Sequence, residues 1–155
     1  MEAPQLQLFK DITLEYFAKL TPDRAPSLGD AYLQFGDPVL LDYASMVRIR
    51  GQYDGCIYLT SPTSMLEHLL AAHGEPEVSS RTLRDMCREL SNVLAGNASK
   101  AFGGHWTISV PESISGENGW NGTALPDSTF VMPIQWNGSE SLLVVGLEAP
   151  KGHST

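Results

Sequence analysis

The chain has 155 residues, of which 42% are hydrophobic and 18% are charged, a composition typical of a globular protein. This length predicts a single domain over residues 1–155 that is large enough to bury a hydrophobic core. Ten lysines and arginines against 18 aspartates and glutamates give a net charge of −8, which disfavours a nucleic-acid partner because no basic stripe is present to bind phosphates.

The sequence carries no signal for a membrane or for secretion. No apolar run reaches the length of about 18 residues that a membrane span requires. The first residues are not a basic lead followed by an apolar stretch, which is the pattern of a secretory signal. Cys56 and Cys87 are isolated cysteines that we expect to be buried, reduced thiols. Together these features predict a cytoplasmic protein.

The first half of the chain predicts a helix, a loop, two strands and a short second helix. These elements are expected, in this order, at residues 6–20, 23–29, 40–50, 56–60 and 61–73. Apolar side chains at helical spacing define the first helix, and Thr21-Pro22 ends it because the residue before a proline avoids the helical region. Ser61 is expected to cap the second helix, with Pro62 at its first helical position.

The longest and best-patterned helix is predicted over residues 79–104. Ser79 or Ser80 can cap its start, and Gly103-Gly104 follows its last periodic residue, where glycine readily adopts a left-handed exit. Apolar residues recur at three- and four-residue intervals and form one stripe, made of Leu83, Met86, Cys87, Leu90, Val93, Leu94 and Ala98. We expect this stripe to face the core.

Three further strands are expected after the long helix, at residues 106–111, 129–136 and 141–148, with a surface loop at residues 115–127. Asn137-Gly138 is a strong signal for a two-residue hairpin between the last two strands. The order helix, two strands, helix, helix, three strands predicts an α/β (α+β) domain. Its sheet should be mostly antiparallel because the hairpins are short, with one long central helix.

The face of the long helix opposite Leu90 carries the candidate functional residues. At about 100° per residue, Asp85, Glu89, Asn92 and Gly96 fall on this one side. Glu89 and Asn92 are three residues apart and are therefore surface neighbours. A glycine inside a helix costs about 1 kcal/mol relative to alanine, so Gly96 suggests that a partner comes close to the backbone. On spacing alone, however, a polar helix face most often only meets water.

Residues 88–98, with the sequence RELSNVLAGNA, resemble the signature helix of the CheC/CheX/FliY family of chemotaxis phosphatases. That signature has a glutamate, two residues, an asparagine, three residues and a glycine, and these positions are filled here by Glu89, Asn92 and Gly96. The resemblance extends over residues 48–148 and, with one copy of the motif, is closer to the CheX branch. It implies a CheC/CheX-like fold and a homodimer, for which an open sheet edge could provide the joint.

The resemblance also implies a function, a protein phosphatase acting on the aspartyl phosphate of a CheY-like receiver domain. The receiver would supply a Mg²⁺ ion and a lysine, so this chain would need no cofactor of its own. Asn92 would hold the attacking water in line, and Glu89 would form a salt bridge to the receiver's lysine. Gly96 would clear the approach, and Asp85 and Arg88 flank the pair and are expected to contact the partner.

Two other functions are compatible with the same residues. The helix could bind a receiver or another signalling protein as an adaptor without accelerating hydrolysis, or the domain could be a structural piece of a larger assembly such as a flagellar switch. The intact pair of Glu89 and Asn92 favours activity, because a pure binder need not keep both side chains. A self-contained hydrolase is not expected, since the sequence lacks a nucleophile-elbow, dinucleotide or phosphate-loop motif and histidines at metal-ligand spacing.

Overall fold

The computed structural model describes residues 3–36, 39–114 and 128–149, and the predicted surface loop at residues 115–127 lies outside these described ranges. The described residues form three helices and eight strands. The helices are α1 (Ala3–Leu20), α2 (Thr63–Ala72) and α3 (Ser80–Ala101). The strands are β1 (Ser27–Leu28), β2 (Tyr32–Phe35), β3 (Tyr43–Gly51), β4 (Asp54–Ser61), β5 (Trp106–Ile108), β6 (Glu112–Ile114), β7 (Ser128–Trp136) and β8 (Ser139–Glu148).

The strands form one sheet in the order β1-β7-β8-β4-β3-β5, in which β2 also pairs with β7 and β6 also pairs with β3. All of these pairings are antiparallel, as predicted. Short turns join β3 to β4 and β7 to β8, and strands joined in this way run in opposite directions. Asn137 and Gly138 form the second turn with positive φ angles of 52° and 80°, which confirms the hairpin expected there.

The main hydrophobic core lies between the three helices and one face of the sheet. Val47 and Ile49 of β3 and Ile57 and Leu59 of β4 belong to it. A second buried cluster lies on the other face of the sheet, because alternate residues of a strand point to opposite faces. It contains Met46, Cys56, Tyr58, Val131 and Val144. Because both of its faces are buried, β4 is buried at consecutive positions and does not show the alternation of a half-exposed strand.

The helix α3 confirms the predicted central helix at both ends. The Ser79 hydroxyl accepts a hydrogen bond from the Thr82 N–H at 3.2 Å, and the Ser79 N–H donates to the Thr82 hydroxyl at 2.9 Å. Gly103 and Gly104 follow the helix with φ angles of 111° and 79°. The predicted apolar stripe is buried except for Val93, which is half-buried.

Small side chains allow α3 to pack closely on β3. Ser91 and Ala95 are fully buried on the side of α3 that faces the sheet. Ser91 Oγ lies 2.9 Å from Ser45 Oγ of β3 and donates to the Arg88 carbonyl at 2.9 Å. Ser45 is then the donor to Ser91, since a hydroxyl has a single proton to give. This contact fixes the middle of α3 on the sheet, next to Asn92.

The start of α2 differs from the prediction by one residue. Pro62, not Ser61, occupies the N-cap position, and it offers no side-chain hydrogen bond to the helix. The carboxylate of Asp42 supplies the cap from the segment before β3, because its Oδ2 accepts from the Thr63 N–H at 2.8 Å and from the Thr63 hydroxyl at 3.1 Å. Ser61 is still part of β4, where its Oγ lies 2.7 Å from Ser141 Oγ.

Two short strands occupy one edge of the sheet where the sequence pattern predicts none. The strand β1 falls within the predicted loop at residues 23–29, and β2 follows it; both pair with β7. Pro133 lies in β7 between the two paired stretches and has no N–H to donate, while its carbonyl accepts from the Gly29 N–H at 2.9 Å. The proline therefore divides this edge into two short strands. Neither is long enough to show the alternation of apolar and polar residues by which a strand is predicted from sequence.

The predicted strand at residues 106–111 is observed as two strands, β5 and β6, which both pair with β3. Residues 109–111 interrupt them. The Arg48 N–H donates to the Ser109 hydroxyl at 2.8 Å, where a regular ladder would offer a backbone carbonyl. The chain returns to the ladder after Pro111, so the proline marks an interruption of the edge and not its end.

Candidate active face on the central helix

The helix α3 presents the predicted polar face to solvent. Asp85, Glu89 and Asn92 are exposed, Gly96 is half-buried, and Leu90 on the opposite side is buried in the core. The structure therefore brings four of the five predicted site residues onto one open surface. We call the surface formed by these four exposed or half-buried residues the active face.

The active face lies on a rigid element. Phe102, at the C-terminal end of α3, packs its ring against three other aromatic rings, with centroid distances of 5.7 Å to Phe9, 5.7 Å to Tyr53 and 5.2 Å to Trp106. The N-terminal end is capped by Ser79. Side chains carried by a helix that is buried along one face and capped at its start keep a defined position, which binding and catalysis require.

On one side of the active face, Glu89 lies near the contact between α1 and the end of α2. Tyr16 of α1 is hydrogen-bonded through its hydroxyl to His73 Nε2 at 3.0 Å. The pKa of Tyr16 is raised to about 12, first by burial of the phenol and second by the nearby Glu89 carboxylate. A cleft of about 460 Å³ opens here, with His73, Asp85 and Glu89 in its lining.

On the other side of the active face, Arg88 is turned toward the edge of the sheet. Its side chain is half-buried, and Nη2 donates to the Pro111 carbonyl at 3.2 Å. Its Nε is buried and has no hydrogen-bond partner within the part of the chain that the structure describes. Arg88 is thus bound to its own chain, in contrast to the exposed Asp85, Glu89 and Asn92.

Gly96 has no packing reason for its missing side chain. A Cβ atom built at this position would meet nothing within 4 Å, and no positive φ is recorded for it. The described part of the fold would accept alanine here and does not explain the cost of the glycine in helix propensity.

Three residues near the active face were missed by sequence reasoning. The sequence pattern places Tyr16 within the first predicted helix, at residues 6–20, and His73 at the end of the second, at residues 61–73. They are 57 residues apart in the chain and meet only through tertiary packing. Val110 was assigned to a regular strand, although its side chain is 73% exposed on the interrupted edge. No local pattern predicts that Tyr16 lies near Glu89, or that the residue after Val110 is bonded to Arg88.

The described residues offer no obvious metal centre. Within residues 3–36, 39–114 and 128–149, no three histidine, cysteine, aspartate or glutamate side chains are grouped so that they could hold a metal ion. None of the described helices is both long and apolar enough to cross a membrane.

An antiparallel sheet covered by three helices, with a glutamate and an asparagine exposed on the longest helix, defines a CheC/CheX-like domain. Among family models, the one described as "Chemotaxis phosphatase CheX" matches residues 43–132. This match covers more than half of the chain, and the chain belongs to this family of chemotaxis phosphatases. The range includes every predicted site residue. A comparison with curated proteins found no match.

Solved structures share the whole fold. The chemotaxis protein CheX from Desulfovibrio desulfuricans has a TM-score of 0.78 at 18% identity, covering 94% of this chain and 99% of its own. CheX from Borrelia burgdorferi, solved in a complex with CheY, BeF₃ and Mg²⁺, has a TM-score of 0.70 at 16% identity, covering 92% and 97%. The FliM middle domain from Vibrio alginolyticus has a TM-score of 0.60 at 13% identity, covering 92% and 94%. At these identities the similarity shows the fold alone.

Proposed function

We propose that this chain removes the phosphoryl group from the aspartyl phosphate of a CheY-like receiver domain. One observation carries the proposal: Glu89 and Asn92 are exposed together on the active face, in a chain that belongs to the CheX chemotaxis phosphatase family. The fold relative from Borrelia burgdorferi was solved in complex with CheY, and this supports a receiver domain as the partner.

Asn92 provides what phosphoryl transfer to water needs from this chain. Its Oδ1 accepts a hydrogen bond from the attacking water, and its Nδ2 donates to a phosphoryl oxygen. Such transfer depends on positioning and electrostatics more than on covalent help, and holding the water in line lowers the entropic part of the barrier. The Mg²⁺ ion that the reaction requires is proposed to belong to the receiver.

Glu89 is proposed to pair with a lysine of the receiver and so to set the depth at which Asn92 enters its site. The cleft that Glu89 lines is acidic, because Asp85 lies one helical turn before Glu89 and Glu75 and Glu77 line the far end of the cleft, before the start of α3. Arg81 lies in the same cleft and is paired with Glu77 at 2.9 Å. The net negative charge here attracts a cationic side chain and favours its correct orientation.

The test is the rate of phosphate loss from a phosphorylated receiver domain, with and without this chain. We expect acceleration by the wild-type chain and a loss of about 100-fold with Asn92→Ala, the size typical of removing one transition-state hydrogen-bond donor. Glu89→Gln keeps the shape of the side chain and removes its charge, and we expect it to weaken binding of the receiver as well.

Asn97→Ala is the matched control, since it makes the same substitution five residues further along α3, in the groove between α1 and α3 and off the active face. An equal loss in this variant would contradict the role of Asn92. If the wild-type chain binds a receiver loaded with beryllofluoride but does not accelerate hydrolysis, the chain is an adaptor and the proposed activity is wrong.

A further inference from the structure

Val110 has the largest exposed fraction of any large apolar side chain among the described residues, 73%. It lies in the interruption between β5 and β6, at the edge of the sheet next to β3. A single exposed valine is common on protein surfaces and by itself indicates nothing. Its significance here depends on how firmly it is held and on what lies beside it.

The interruption is held from both sides of Val110. Before it, the Ser109 hydroxyl accepts from the Arg48 N–H at 2.8 Å, and the Ser109 N–H donates to the Arg48 carbonyl at 3.0 Å. After it, the Pro111 carbonyl accepts from the Arg88 guanidinium at 3.2 Å. The ring of Pro111 also fixes the φ angle of the residue that follows Val110. Val110 is therefore an apolar side chain presented in a defined place.

That place adjoins the active face. Arg88, which holds Pro111, is one helical turn before Asn92, so the two side chains are neighbours on α3. Ser91, next to Asn92, is bonded to Ser45 of β3. Ser45 is in turn paired with a residue of β6, the strand that follows Val110. Two independent contacts thus connect the Val110 edge to the segment of α3 that carries Asn92.

The contact between Arg88 and Pro111 joins α3 to the interrupted edge of the sheet. The half-buried Arg88 guanidinium donates to the Pro111 carbonyl at 3.2 Å, and a charged donor makes a stronger hydrogen bond than a neutral one. The contact therefore holds residues 109–111 against α3.

We propose that Val110 is part of the receiver-binding surface and that Arg88 is the positioning residue that holds it there. The inference rests on the proposed function and names a second contact of the same interface. Its partner is an apolar part of the receiver surface, which Val110 contacts when Asn92 enters the site. Arg88 acts through Val110 and does not itself contact the receiver.

The test measures kcat and KM separately for dephosphorylation of the receiver. Val110→Ala removes apolar contact area, so we expect KM to rise about tenfold while kcat stays unchanged. Val78→Ala is the matched control, because Val78 is also exposed, 53%, but precedes the capped start of α3, about 20 Å from Asn92 along the helix. A KM unchanged in Val110→Ala, or raised equally in Val78→Ala, overturns the proposal.

The role of Arg88 is tested with a double-mutant cycle. Arg88→Met keeps an unbranched apolar stem and removes the donors of the side chain, and we expect it to raise KM at unchanged kcat. In the Val110→Ala background the same change should have little further effect, because both substitutions remove one contact. Independent, multiplying effects would mean that Arg88 contacts the receiver directly, and the positioning role would be wrong.

This experiment separates the inference from the function on which it rests. If the wild-type chain does not accelerate hydrolysis, the proposed activity fails, and the same variants are then compared by their affinity for a receiver loaded with beryllofluoride. A tenfold loss of affinity with Val110→Ala supports the docking contact even for an adaptor, and unchanged affinity overturns it. Thermal unfolding of each variant verifies that it is folded.

Discussion

At the scale of single residues, Gly96 is the position whose residue type is least explained by the packing of the described residues. Its neighbours on the active face are polar residues that water alone would accept, whereas a glycine inside a helix lowers stability. The open space around its position shows that packing does not require it. We propose that a partner comes close to the α3 backbone at this residue.

Gly96→Ala should therefore stabilise the fold and impair the function. We expect the free energy of unfolding to rise by about 0.5–1 kcal/mol in urea titrations, because alanine is the better helix former and its methyl group meets nothing. Receiver dephosphorylation should fall by about tenfold or more, since the methyl group occupies space that the partner needs. Full activity in this variant would show that the receiver does not approach Gly96.

Gly138→Ala is the control for the sign of the stability change. This position is also open, but its φ angle is 80°, a conformation that strains any residue with a Cβ atom. We expect the free energy of unfolding to fall in this variant. A stabilised Gly138→Ala would mean that the measured change does not report backbone conformation.

At the scale of secondary-structure elements, β2 is the feature that most needs a partner. Among the described residues it pairs with β7 alone, and its Tyr32, Leu33 and Phe35 are exposed. An unpaired edge of this kind is a ready site for strand pairing with another chain. We propose that β2 forms the interface of a homodimer, in which the β2 strands of two copies pair symmetrically.

The mass of the protein in solution, measured by sedimentation equilibrium, tests this interface. We expect the wild-type chain to have the mass of a dimer and Phe35→Asp that of a monomer, because a charge at a residue that is 71% exposed in the single chain would be buried in the dimer. Val78→Asp places the same charge on an exposed valine away from the sheet and should leave the dimer intact. A monomeric wild-type chain, or a dimeric Phe35→Asp, would contradict the proposal.

At the scale of the whole molecule, the sheet separates two buried clusters. Each cluster contains a cysteine thiol, and one also contains a tyrosine phenol, whose pKa is raised by burial. In the cluster below the helices, burial raises the pKa of Cys87 from 9.0 to about 12. In the opposite cluster, burial raises the pKa of Cys56 to about 12, against a smaller lowering by Arg48, and raises that of Tyr58 as well. Neither thiol is available as a nucleophile at neutral pH.

These shifts predict that the fold loses stability in alkali. Between pH 9 and 12 the unfolded chain releases the protons of Cys56 and Cys87 while the native chain retains them, so the unfolded state binds fewer protons and its population rises with pH. We expect the free energy of unfolding, measured in urea, to be unaffected by these groups below about pH 9 and to fall above it. A free energy that stays constant up to pH 11 would show that the thiols already titrate in the native protein.

The sequence by itself was sufficient for the features that depend on local periodicity. Three helices, the long strands, the hairpin at Asn137-Gly138 and the capped start of α3 follow from the spacing of apolar residues and from caps and turns that act within a few residues. The exposure of Glu89 and Asn92 also follows from the period of the helix, since Leu90 must face the core.

Only the tertiary structure decided the features that depend on contacts between distant parts of the chain. The short strands β1 and β2 exist because β7 offers them a partner, and the cap of α2 comes from Asp42, 21 residues before Thr63. The direction of Arg88 depends on Pro111, 23 residues later. Such contacts leave no periodic signal in the sequence, because they join residues that are far apart in the chain and meet only in the folded protein. The helix period was therefore enough to predict which residues α3 exposes on the active face. It was not enough to predict the positions of Tyr16 and Val110.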